Sequence, residues 1–307
     1  MRILVTGASG LLGLNLCLML HPENEISGIV NRTKLNNVPF DVQSGDLCEK
    51  DTVNALINQN KPHLIINCAA AADVDWCEKN RDQAARINTE MPGTLAALCK
   101  KKNIKLIHIS TDAVFDGKQV EYLEEDSPNP QSVYAETKLA GEKNVSAENP
   151  EAIIARVNFY GFSISGTHSL VEFFINNLSA GKQINGFVDV LYCPLYVKDL
   201  VKIMMQMVQK NLRGLYHVVS TESISKYAFG VRIAEKFGFD KNLINPISVN
   251  ESNLQAKRSP LLMLNVKKLI GEGIKPPHQT VGIDHLYLDY LSGLPQKIIS
   301  YSEVKSN

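Results

Sequence analysis

Tyr134 and Lys138 stand four residues apart in the stretch Tyr134-Ala135-Glu136-Thr137-Lys138. On a helix, positions i and i+4 share a face, with Cβ atoms about 5–6 Å apart. An ammonium that close favours the phenolate and draws the phenol down from its ordinary pKa near ~10. That is the direction a general acid or base needs at neutral pH. Asn129 as cap, Pro130 in the first turn, and Val133, Leu139, Ala140 and Val145 at helical spacing predict the helix that carries the pair. Tyrosine and lysine at this spacing also line many solvated helix faces. The pair acquires meaning only from what the rest of the chain places beside it.

At the N-terminus, Arg2–Thr6 is an apolar run suited to a buried parallel strand. Gly7-Ala8-Ser9-Gly10-Leu11-Leu12-Gly13 follows, and then a helix carrying Leu14, Leu16, Leu18 and Met19. In such a strand–turn–helix the first glycine permits the tight turn. The second lets a diphosphate approach the backbone, and the third lets helix pack on strand. A second strand, Glu25–Val30, ends at Asn31-Arg32. An acidic residue there would hold the ribose hydroxyls of NAD; Arg32 and Lys34 instead suit a 2′-phosphate, which points to NADP(H).

Further strands are expected at Phe40–Ser44, His63–Asn67, Lys105–Ile109 and Ala152–Val157. Helices are expected at Asp51–Gln59 and over 80–102, the latter interrupted near Pro92. Cys68-Ala69-Ala70, after the fourth strand, are small enough for a flat ligand to come close. Ser110-Thr111-Asp112 place hydroxyls and a carboxylate at the carboxyl end of a central strand, where open α/β sheets bind ligands. His108, inside an apolar strand, reads as a core histidine. The β-then-α rhythm predicts a doubly wound parallel sheet of Rossmann type. Residues 1–160, with Leu191–Val197 and Gly214–Val219 returning to the sheet, would form the nucleotide-binding domain. Residues 161–307 would form mainly a smaller substrate lobe.

The 307 residues carry 32 basic and 32 acidic side chains, so nothing argues for nucleic acid or an acidic membrane surface. No apolar run is long enough to span a membrane. Cys17, Cys48, Cys68, Cys77, Cys99 and Cys193 form no C-x-x-C pair and no zinc spacing. They read as reduced thiols in a cytoplasmic protein, and no metal site is indicated.

Taken together, these motifs resemble the extended short-chain dehydrogenases/reductases. The segments carrying the resemblance are Thr6–Gly13, Gly45-Asp46-Leu47, Asn67-Cys68-Ala69-Ala70 and Tyr134-x-x-x-Lys138. Asn67–Glu78, Ser110–Gly117, Pro128-x-Pro130-x-x-x-Tyr134 and Cys193–Leu200 are similar, more narrowly, to the dTDP-4-dehydrorhamnose reductase branch. The nucleotide motif also resembles that of the methionine adenosyltransferase regulatory β subunit. The branch often has tyrosine where this chain has Ala113, and Arg-Pro where it has Arg258-Ser259-Pro260.

The resemblance implies NADPH-dependent reduction of the 4-keto group of a nucleotide-linked deoxysugar. Tyr134 would give the proton, Lys138 would lower its pKa and bond the nicotinamide ribose, and Thr111 would hold the carbonyl oxygen. Gly7, Ser9, Gly10, Leu11, Leu12, Gly13, Asn31, Arg32, Asp46, Leu47, Cys68, Ala69 and Ala70 would contact the cofactor. Asp112, Asn158 and Arg258 would contact the substrate, and Asn88 would act chiefly as a structural residue. The resemblance also admits a homodimer and a Mg²⁺ ion. Its alternatives are an epimerase or dehydratase with bound NAD, and a non-catalytic NADP-binding subunit.

Overall fold

The computed structural model describes residues 1–251 and 259–302. Its first half alternates strand and helix: β1 (Arg2–Thr6), α1 (Leu11–Leu20), β2 (Glu25–Val30), β3 (Asp41–Ser44), α2 (Lys50–Asn60) and β4 (Leu64–Asn67). Short helices α3 (Val74–Lys79) and α4 (Arg81–Ala85) lead through a π turn at Arg86–Glu90 into α5 (Met91–Lys102), β5 (Lys105–Thr111), α6 (Val133–Glu148) and β6 (Ile153–Val157). The second half begins with β7 (Phe159–Tyr160), α7 (Leu170–Ser179), β8 (Ile184–Phe187), β9 (Leu191–Tyr192), β10 (Leu195–Tyr196), α8 (Val197–Gln209) and β11 (Gly214–Val218). It continues with β12 (Ile224–Ser225), α9 (Lys226–Phe237), β13 (Ile244–Ile247), β14 (Leu261–Leu262), α10 (Lys267–Gly271), α11 (Gln279–Leu291) and α12 (Leu294–Ser300).

Seven parallel strands form one sheet in the order β11-β6-β5-β4-β1-β2-β3. The uninterrupted apolar runs follow from burial on both faces. In β4, Leu64 and Ile66 join one core with residues of α1 and α8, while Ile65 joins another with residues of α2 and α5. Each such side chain, fully buried, contributes about 1.5–3 kcal/mol. The order reverses between β1 and β4, so their carboxyl ends open the crevice where doubly wound sheets take ligands.

Three local expectations shift. Helix α6 starts at Val133, capped by Ser132 Oγ, which accepts from Ala135 N at 3.3 Å. Asn129 is used elsewhere: its amide donates to Asp116 Oδ2 at 3.0 Å and its N–H to the Val114 carbonyl. The long 80–102 helix is disturbed before Pro92, because proline has no N–H to give the Asn88 carbonyl four residues back. Met91 N reaches to Arg86 O instead, producing the π turn. Of the two segments expected to rejoin the sheet, only Gly214–Val218 does so. Leu191–Tyr192 pairs with β12 and β14, and Leu195–Tyr196 pairs with β7; Pro194, which cannot donate to a ladder, separates them.

The carbonyl freed by Pro92 lies against α6. A methyl added at Gly141 would sit 2.1 Å from the Asn88 oxygen. Gly141→Ala is therefore expected to destabilise the fold by about 2–3 kcal/mol through overpacking. Denaturant unfolding measures this directly; unchanged stability would show that α6 can move off the π turn without cost.

Candidate functional site

The turn after β1 and the loop after β4 close on each other. Gly7 has φ +64°, and a methyl there would come within 2.9 Å of the Ala69 backbone. Gly13 is equally constrained, since a methyl would fall 2.2 Å from the Gly7 carbonyl. The N-cap of α1 is Gly10, which offers no side-chain cap, and the helical ladder begins with Leu14 N donating to Gly10 O at 2.9 Å. The N–H groups of Leu11, Leu12 and Gly13 therefore have no intrahelical acceptor. This end of α1 is suited to an anion such as a diphosphate.

A cleft of ≈ 540 Å³ opens over this turn, lined by Gly7, Ser9, Gly10, Asn31, Arg32, Asp46, Leu47, Cys68, Ala69 and Ala70. Leu11, Leu12 and Gly13 are not part of its lining; what they offer there is the backbone N–H groups at the start of α1, and the Leu12 side chain is buried in the core. Trp76, Gln83 and Arg86 also line the cleft, and no sequence signal had singled them out. A larger hollow of ≈ 840 Å³ lies at the opposite, amino-terminal edge of the sheet. It borders the ends of α2, α5 and α8, where lysines suit the negative helix dipoles. Lys102 and Lys105 bond Asn58 and Asn211 there. None of the candidate site residues lines it.

Buried polar contacts hold the cleft's floor. Thr6 Oγ1 donates to Asn67 Oδ1 at 2.6 Å and accepts from Ala69 N at 3.2 Å. The Asn67 amide lies 3.0 Å from His108 Nδ1. Burial holds His108 well below the usual imidazole range, and the Lys138 charge adds to this, so it is a neutral core residue. Asn88, fully buried, accepts from Ala71 N at 2.9 Å and donates to Ala71 O at 3.0 Å and Thr137 Oγ1 at 3.1 Å. It ties the loop after β4 to α6 between Tyr134 and Lys138, which is a structural task.

At the end of β5, Thr111 stands beside the Tyr134 phenol and favours its ionised form, and Thr111 Oγ1 donates to Asp112 Oδ1 at 3.1 Å. Asp112 is buried, and its other oxygen accepts from Asn158 Nδ2 at 2.6 Å. Thr111 itself caps the following turn, accepting from Ala113 N. Tyr134, like Ala71 and Trp76, packs against the buried cluster of Cys77, Ala84 and Val133. Lys138, 3% exposed, donates from Nζ to the Ile109 carbonyl at 2.6 Å and interacts with Cys68 at the cleft's edge. Thr111, Asp112, Tyr134 and Asn158 thus lie together, and Lys138 meets the cleft through Cys68, but none of the five is part of the cleft's lining. Arg258 lies outside the described residues.

The electrostatics differ from the expectation for a tyrosine–lysine pair. Tyr134 is pushed up to about 12, chiefly by burial, with Asp112 adding to the rise and the Thr111 hydrogen bond opposing it. Lys138 is brought down to about 8 by burial, against the pull of Glu142. Desolvation outweighs the helical spacing, and the amine is turned to a carbonyl. Among the described residues no group of three or more His, Cys, Asp or Glu could hold a metal ion, so the Mg²⁺ expectation gains no support. All six cysteines are free. No helix among the described residues is long and apolar enough to cross a membrane.

Burial raises Asp112 to about 6, despite hydrogen bonds from Asn158 and Thr111. The folded chain therefore holds a proton that the unfolded chain releases near pH 4, and stability from this residue falls as pH rises from about 4 through 6. Asp112→Asn should be more stable than the parent above pH 6, by at most about 3 kcal/mol, with the gap closing toward pH 4. Denaturant midpoints across this range measure it; a gap independent of pH would exclude the titration of Asp112 as its cause.

The family model described as the RmlD substrate binding domain matches residues 1–291. A probable low-salt glycan biosynthesis reductase of Haloferax volcanii is 33% identical, over 89% of this chain and 92% of its own. Methionine adenosyltransferase 2 subunit beta of Mus musculus is 30% identical, over 91% and 85% respectively. The crystal structure of dTDP-4-dehydrorhamnose reductase from Bacillus anthracis in complex with NADP has a TM-score of 0.81 at 28% identity, covering 94% of this chain and 99% of that one. With its parallel sheet, glycine turn and Tyr134/Lys138 helix, the chain belongs to the RmlD substrate-binding-domain family and has the extended short-chain dehydrogenase/reductase fold.

Proposed function

We propose that this chain reduces the 4-keto group of a nucleotide-linked deoxysugar with NADPH. The observation that supports the reading is that Tyr134 stands beside Thr111 while Lys138 stands beside Cys68, a lining residue of the anion-ready cleft. The residues present fit a dinucleotide. The open end of α1 suits the diphosphate, the small Cys68–Ala70 edge suits a flat ring, and Arg32 at the end of β2 suits a 2′-phosphate. A bound nicotinamide cofactor would supply the hydride.

The chain's own residues would handle the proton and the orientation. Tyr134 gives its phenolic proton to the carbonyl oxygen as the hydride reaches carbon, so ketone, hydride and proton balance to an alcohol. Thr111 donates to the same oxygen and fixes its place. Lys138, as the ammonium, offsets the burial of the phenol and bonds the ribose hydroxyls. Asp112 and Asn158 form a polar wall of the sugar site, with Ala113 leaving room where the branch often has tyrosine. In this reading residues 1–160 with β11 form the cofactor half, the later elements form the substrate half, and two copies associate.

A second reading is favoured by one observation. The Tyr134 phenol is raised rather than activated, which suits a subunit that binds NADP without turnover, as the similarity to methionine adenosyltransferase 2 subunit beta allows. Tyr134→Phe separates the two. Turnover of a nucleotide 4-keto-sugar, followed by NADPH absorbance, should fall by about 100-fold or more, with NADPH affinity nearly unchanged. Equal turnover in the variant would sink the mechanism, and no turnover in the parent on any keto-sugar would favour the binding subunit.

Cofactor choice has its own test. Arg32→Ala should weaken NADPH binding about 10-fold or more by loss of charge-assisted bonds, and leave NADH binding almost unaltered. Trp76, the single tryptophan, lines the cleft and provides a fluorescence readout. Equal weakening of both cofactors would reject the 2′-phosphate assignment.

A further inference from the structure

The helix stripe that opens with Tyr134 and Lys138 continues to Glu142, again four residues on. Glu142 is 5% exposed. Its Oε1 accepts from Ser110 Oγ at 2.5 Å and from Arg156 Nε at 3.0 Å, and its Oε2 accepts from Arg156 Nη2 at 2.8 Å. Arg156, 2% exposed, places its guanidinium 4.9 Å from the centroid of the Phe115 ring. Ser110 adjoins Thr111 on β5, and Arg156 stands two residues before Asn158, just past the end of β6. A carboxylate on α6 is thus tied to both strands that carry the candidate site.

The charges in this dry region are Lys138, Glu142 and Arg156, with Asp112 a further buried carboxylate at the end of β5, facing Tyr134. Arginine does not lose its proton in a protein, so any shortage of negative charge falls on the lysine. The groups facing Lys138 are few. From its own helix comes Glu142, and from β5 come the Ile109 carbonyl and the neutral His108. From the loop after β4 comes the Cys68 thiol, which burial keeps protonated. Glu142 is the only carboxylate among these described groups.

We propose that Glu142, held by Arg156 and Ser110, is a positioning residue that keeps Lys138 in its ammonium form beside the cleft. Arg156 and Ser110 fix the carboxylate, and through them the ends of β5 and β6 keep register with α6. The inference deepens the reductase reading and rests on it for its catalytic meaning. Its electrostatic content belongs to the folded chain alone.

The test follows Lys138 itself, by NMR titration of protein labelled at lysine Cε, with the Lys138 signal assigned by its loss in Lys138→Met. The parent midpoint is expected near pH 8. In Glu142→Gln, and in Glu142→Gln/Arg156→Met, which leaves no unpaired buried arginine, it should fall by one pH unit or more. The loss of keto-sugar turnover at high pH should move down with it. A structural role alone would lower the melting temperature of Glu142→Gln, let the double variant recover, and leave the midpoint unmoved. An unmoved midpoint in the folded double variant overturns the proposal. Absence of turnover in the parent overturns the reductase reading, and the midpoint then decides the inference by itself.

Discussion

Burying a lysine ammonium between α6 and β5 is the constraint that the neighbouring structure answers. A cation removed from water needs both hydrogen-bond acceptors and a counter-charge. The Ile109 carbonyl supplies the first at 2.6 Å, and Glu142 supplies the second one turn further along the helix. Glu142 is itself buried, so it requires Arg156 and Ser110. Arg156 is buried in turn and lies over the Phe115 ring. Phe115 stacks on Tyr122, whose hydroxyl donates to Asp116 at 2.6 Å near the protein surface. One buried charge thus organises a chain of contacts from the edge of the cleft outward, through the loop that follows β5.

The same economy explains the crowding between the loop after β4 and α6. Lys138 can sit beside Cys68 only if α6 lies close to that loop. Asn88 enforces the distance by bonding Ala71 twice and Thr137 once, and Gly141 removes the side chain that would keep the π turn away. The π turn is a consequence of Pro92, and it frees the carbonyl that packs on Gly141. Local backbone irregularity and site geometry are therefore one feature viewed from two sides.

Much of this was legible in the residues. Parallel strands buried on both faces must be apolar throughout, so β1, β2, β4, β5 and β6 stood out, and the three spaced glycines marked the tight turn between β1 and α1. What was not legible depended on contacts distant in sequence. Asn129 is as good a cap as Ser132 until Asp116 takes its amide. Leu191–Val197 has the composition of a strand, but β12, β14 and β7 compete for its halves around Pro194. The Tyr134–Glu142 stripe was present in the spacing, whereas the identity of its partner, Arg156, required β6 to be laid beside β5. The sign of the phenol's shift was read from one lysine, while burial and Asp112 are properties of the folded site.

That sign has a consequence for how the pair would work. With the phenol near 12 and the amine near 8, rising pH removes the lysine's proton long before the tyrosine's. In the proposed reaction such a tyrosine would keep its proton until a developing oxyanion drew it off, with Thr111 beside it. The lysine is the group whose charge is marginal near neutrality. Loss of function at high pH would then report Lys138 rather than Tyr134, and the residues that set the pH range would be those around the amine. In the proposed reaction the tyrosine–lysine pair would thus divide its duties: burial makes the phenol a firm holder of its proton, and Glu142, one turn further along α6, favours the charged form of the neighbouring amine.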